Sequence, residues 1–101
     1  MGNSSSRVAK MSGKYDVIPR EVLDELVRVY EYGAQKHQGM DSWKNHVDRT
    51  YWTAKIERHN LKLRNGRKLD DESGLHHAAH IMMDSACLLY AQLHAGEELV
   101  E

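Results

Sequence analysis

Residues 75–93 read LHHAAHIMMDSACLLYAQL, and this stretch decides the fold. It contains no proline or glycine, and Ile81 is its one β-branched residue, so it favours a helix. On a wheel of about 100° per residue, Leu75, Ala78, Ala79, Met82, Ala86, Leu89 and Leu93 form one broad apolar face. Ile81, Met83, Cys87, Leu88, Tyr90 and Ala91 fill most of the remaining circumference. A helix apolar nearly all round belongs in the middle of a bundle. The pattern predicts a helix from near Glu72 or Ser73 to about His94, stopped by Gly96.

Three residues break that apolar surface. His77, His80 and Asp84 are spaced i, i+3, i+7, which stacks them within about 60° over two turns. A buried carboxylate needs a partner. Neutral imidazoles and a carboxylate together make a donor set for a divalent cation, and Mg, Mn, Co and Zn all remain open. The alternative is a hydrogen-bonded staple, or a stripe facing solvent.

Working towards the N-terminus, Asp48 is a plausible N-cap and Asn65-Gly66 a C-cap pair. Between them Trp52, Ile56, His59 and Leu63 form an inner face. The link to the next helix is short, so the two should pack antiparallel. That brings His59 near His77 and His80, with Asp70 and Glu72 at the same end. Further back, Pro19 suits a first helical turn. Val22, Leu23, Leu26, Val27, Tyr30 and Ala34 then make an amphipathic stripe to about residue 37. Residues 1–13 are small, polar and aperiodic, which predicts a flexible tail before a single helical domain over residues 14–101. No stretch shows strand periodicity. The expectation is an all-α fold of three main helices, with a central buried third helix. Three helices of this size give a thin core, so dimerisation is expected to complete it.

Composition narrows the function. The 101 residues carry 14 Lys+Arg against 15 Asp+Glu, a formal net charge of -1. This argues against wrapping duplex DNA and against polybasic membrane binding, so neither nucleic acid nor a membrane is an expected partner. No apolar run nears the roughly 20 residues of a bilayer span. Met1 to Ser6 lack a signal-peptide core. The single cysteine, Cys87, rules out an internal disulfide and any CxxC knuckle. A cytoplasmic location is expected. Lys36, Lys55 and Arg58 are candidate phosphate ligands, and Arg58 has the fork geometry for bidentate binding. Trp43 and Trp52 read as core residues, with base stacking as the alternative. His37, His46 and His94 have no assigned role, and His76 points about 100° away from His77.

Several segments resemble a family of small phage proteins, the dATP/dGTP diphosphohydrolase N-terminal domains. They are Tyr15-Asp16-Val17-Ile18-Pro19, Tyr32-Gly33-Ala34-Gln35-Lys36, Trp43, Arg58-His59, and the run from Asp70 through Glu72-Ser73-Gly74 and His77 to His80, ending at Asp84. The Glu72-Ser73-Gly74…His77…His80 string is the most specific part. The resemblance implies an all-α protein that hydrolyses a purine deoxynucleoside triphosphate to monophosphate and pyrophosphate with a divalent metal. The protein would then act in the host cytoplasm. The EExxE and ExxD pattern of the neighbouring MazG-type enzymes is absent, and Asp24-Glu25 is a partial echo.

The combined expectation is a metal-dependent nucleotide phosphohydrolase acting as a homodimer or higher oligomer. His59, His77, His80 and Asp84 would bind metal, Glu72 would orient or deprotonate water, and Lys36 and Arg58 would neutralise phosphates. The competing expectation is a non-enzymatic, partner-binding or regulatory helical phage protein, in which the His/Asp cluster is a structural metal site or hydrogen-bond staple.

Overall fold

The computed structural model describes residues 14–37 and 39–95. Three helices carry the fold: α1, Arg20–His37; α2, Arg49–Arg64; and α3, His77–Ala95. Short 3-10 turns at Tyr15–Val17 and Ser42–Asn45 accompany them. There is no strand among the described residues, only an isolated bridge between Leu69 and His76. The expected tail over residues 1–13 and the stop at Gly96 lie outside the described residues. No helix among the described residues is long and apolar enough to cross a membrane.

Helix α2 forms where its caps predict. The Asp48 carboxylate accepts from the Thr50 N–H at 3.0 Å, satisfying a donor the first turn leaves open. At the other end Arg67 N–H donates to Lys62 C=O and Gly66 N–H to Leu63 C=O, both at 2.9 Å. This Schellman closure requires the left-handed backbone of Gly66, φ +85°.

α3 is the central element, since both α1 and α2 pack on it. Two features of it differ from the sequence expectation. It begins at His77, not near Glu72 or Ser73. Residues 68–77 instead fold into a small closed loop. Asp70 N–H donates to Leu75 C=O, Gly74 N–H to Asp70 C=O and His77 N–H to Lys68 C=O, at 2.8 to 3.0 Å. Gly74 sits at φ +74°, a left-handed conformation that interrupts helical propagation. The second difference is which side faces inward. Buried positions on α3 are His77, Ala79, His80, Asp84, Cys87 and Ala91, whereas Leu89 and Leu93 are 53% and 69% exposed. The stripe carrying the polar residues packs against α1 and α2, and much of the expected apolar face lies outside.

On α1 the expected stripe residues Val22, Leu23, Leu26, Tyr30 and Ala34 are partly buried, and Val27 is the exception. Val29 is 1% exposed and Val27 is 49% exposed. Two valines two residues apart are equally hydrophobic but lie on opposite sides of the helix, and packing onto α3 selects between them. Trp52 anchors α2 in the core, donating its indole N–H to His46 C=O at 2.7 Å. Trp43 packs edge-on to Tyr30 and Tyr90.

Candidate active site

Antiparallel packing of α2 on α3 brings the end of one against the start of the other, as the short link requires. His59 and His77 meet there with Nδ1 atoms 2.8 Å apart. The 68–77 loop swings Asp70 over the same point, and donor atoms of His59, Asp70 and His77 lie within 4.8 Å of one another. Asp70 is fixed by the Ser73 N–H, which donates to its Oδ2 at 2.8 Å. His80 braces the group from below. Its ring stacks on His59 at 4.5 Å and 7°, and its Nε2 lies 2.8 Å from Ser73 Oγ and 4.0 Å from Asp70 Oδ2.

The electrostatics suit a cation. Burial pushes His59 down to about 4, helped by the neighbouring His80 and His77, so its lone pair is free at neutral pH. His80 is likewise lowered, by burial against the opposing pull of Asp70. Burial raises Asp70, but hydrogen bonds from Ser73 and the nearby His80 and His59 outweigh it and hold the carboxyl low. Two imidazoles and one carboxylate fit a borderline divalent ion such as Mn, Co or Zn, and three protein ligands leave coordination positions open.

This group opens into a cavity of about 400 Å³. Four bases line it: Lys36 from α1, and Lys55, Arg58 and Lys62 from α2. Glu72 stands at its rim, paired with Lys36 at 3.0 Å. The hydrogen bonds from Lys36 and then Tyr32 hold the Glu72 carboxyl below its ordinary range.

Lys36, Arg58, His59, Glu72 and His77, expected from the sequence, therefore share one cavity. His80 sits directly behind it. Asp84 does not line it and faces a second, aromatic cleft. Asp84 is 3% exposed, and its Oδ2 has no hydrogen-bond partner among the described residues. Burial pushes this carboxyl up to about 6, although Lys55 and Arg58 pull it down. Lys62 was not singled out from the sequence. Its signal was its place with Lys55 and His59 on one face of α2, at i, i+4, i+7.

Three helices and the 68–77 loop thus bring a cation-competent donor group and four bases to one polar cavity of a small all-α domain. The chain belongs to the dATP/dGTP diphosphohydrolase N-terminal family, whose model matches residues 3–99. No curated protein and no solved structure gives a match.

Proposed function

We propose that the domain is a metal-dependent nucleotide phosphohydrolase that converts a purine deoxynucleoside triphosphate to the monophosphate and pyrophosphate. The carrying observation is the joint lining of one cavity by His59, Asp70 and His77 and by Lys36, Lys55, Arg58 and Lys62. The family's description points the same way.

His59, Asp70 and His77 are the proposed ligands, with His80 holding the His59 ring in place. A divalent ion bound there supplies Lewis acidity, withdrawing charge from phosphoryl oxygens and making water a better acid. The four bases neutralise the triphosphate, with Arg58 suited to a bidentate grip. Glu72 is the proposed general base for the attacking water. Triphosphate competes for Lys36, and the loss of that partner raises the proton affinity of Glu72. Attack at the α-phosphorus breaks the α–β bridge, releases pyrophosphate and frees one proton. Incubation of metal-replete protein with a dNTP panel and Mg²⁺, Mn²⁺ or Co²⁺ should yield monophosphate and pyrophosphate in equal amounts. Folded, metal-loaded protein that releases neither contradicts the proposal, and orthophosphate as the sole inorganic product contradicts the site of attack.

The competing hydrogen-bond staple draws on one observation. Nδ1 of His59 and Nδ1 of His77 can share a single proton at 2.8 Å with no ion present. It does not account for the four bases gathered around that pair.

The working form is proposed to be a homodimer, or a higher homo-oligomer, assembled through the outer face of α3. Ala78, Leu89 and Leu93 are exposed there on one side. Among the described residues, the buried apolar ones are Val29, Trp52, Ala79, Cys87 and Ala91, a thin core for an independent domain. Sedimentation at tens of micromolar should give at least twice the monomer mass, and Leu89→Glu with Leu93→Glu should reduce it to monomer. A wild-type monomer at that concentration refutes the dimer.

A further inference from the structure

The second cleft adjoins the phosphate cavity, because Lys36 and Lys55 line both. Its character is different. Tyr30, Tyr32, Trp43, Tyr51 and Trp52 contribute aromatic surface, and Asp84 forms part of its lining. The enclosed volume is small, about 100 Å³. An apolar cavity of about 150 Å³ holds a benzene ring, so this one takes the edge of a planar ring and not a whole nucleoside.

Asp84 is the one buried side chain described without a hydrogen-bond partner for its oxygen. A buried carboxylate in this state destabilises the fold unless a ligand supplies donors. Nothing in the metal group engages it. Between aromatic walls, one step from a cluster of phosphate-binding cations, the ligand with suitable donors is a nucleobase. Guanine presents two adjacent N–H donors, at N1 and N2, which match the two acceptor oxygens of a carboxylate. Adenine presents an acceptor at N1, which meets that carboxylate with repulsion. Hypoxanthine keeps N1–H and lacks the second donor.

We propose that Asp84 reads the Watson–Crick edge of guanine, making this cleft the base-recognition subsite of the nucleotide site. This rests on the nucleotide reading given above. The phosphates then lie in the larger cavity among Lys36, Lys55, Arg58 and Lys62, and the two shared lysines sit at the junction.

The test is calorimetric titration of the Mn²⁺-loaded protein with dGMP, dIMP, dAMP and dCMP, with inorganic tripolyphosphate as a separate probe. The inference expects dGMP to bind at least about 10-fold more tightly than dIMP and dAMP, the discrimination of a bidentate pair. Asp84→Asn should bring dGMP to within about twofold of dIMP and leave tripolyphosphate affinity unchanged, because a carboxamide offers one acceptor where guanine needs two. Equal affinity for all four monophosphates, with tripolyphosphate binding, overturns the base inference alone. Unchanged discrimination in Asp84→Asn also overturns it. Failure of tripolyphosphate to bind removes the nucleotide reading on which it stands. The ligand series on unmodified protein is decisive even if the variant does not fold.

Discussion

Asp84→Asn is expected to make the protein more stable at neutral and alkaline pH. The folded state holds the Asp84 carboxyl at about 6 against an ordinary 3.8. The native chain therefore binds this proton more tightly than the unfolded chain, and stability falls as pH rises from about 4 to about 6. Above pH 6 the full cost of keeping the carboxylate ionised and buried remains. A shift of about two pH units corresponds to roughly 3 kcal/mol. Replacement by an uncharged amide of the same shape removes that cost. At pH 7.5 the variant should melt about 12–24 °C higher, given the size of the domain. At pH 4, where Asp84 is protonated in the folded protein, the gap should close to within a few degrees. Thermal melts of both proteins across this pH range check it. An Asn variant that is less stable at pH 7.5 would mean that the ionised carboxylate has a partner within the fold.

The second large effect is expected from His59→Ala. His59 is only partly buried, so its removal opens space towards the cavity and perturbs the core less than loss of His77 would. Residues that merely support a metal ligand change affinity by about 10–100-fold. Loss of a direct ligand should lower Mn²⁺ affinity by at least about 100-fold, with turnover falling in step. The melt of the metal-free variant should stay close to that of the metal-free parent. If the His59–His77 pair is a structural staple, the outcome reverses. The melt collapses, and adding or removing metal leaves the parent unchanged.

Much of this architecture is readable from particular residues. Asp48 and Gly66 mark α2 because capping and left-handed turns have strict local chemistry. The apolar circumference of residues 75–93 marks the central helix. The same reasoning fails where the deciding interaction is not local. Glu72-Ser73-Gly74 looks like a helix start, but the bonds that close its loop reach back to Lys68 and Asp70. The wheel assumes that an apolar face points inward. Here the site lies inside the bundle, so α3 turns its histidines and Asp84 towards α1 and α2.

The candidate site divides in the same way. His59, His77, Lys36, Arg58 and Glu72 converge because helix order and link length bring them together. Asp84 shares a stripe with His77, but seven residues of helix rise about 10 Å, farther than one ion's ligands can reach. Asp70 takes the place near the imidazoles because of the loop fold, which has no periodicity to read. The histidine excess, seven in all, divides accordingly. His59 and His77 form the donor group and His80 supports them. His46 packs against Tyr51 and Trp52, and His94 against Tyr90.

The most direct test of the central claim is anomalous diffraction from crystals grown with Mn²⁺ and an α,β-non-hydrolysable dGTP analogue. The account predicts a manganese peak bonded to His59, Asp70 and His77, with the analogue's phosphates completing its coordination among Lys36, Lys55, Arg58 and Lys62. A peak closed off by four protein ligands, or the analogue bound with no metal at these three residues, would contradict it.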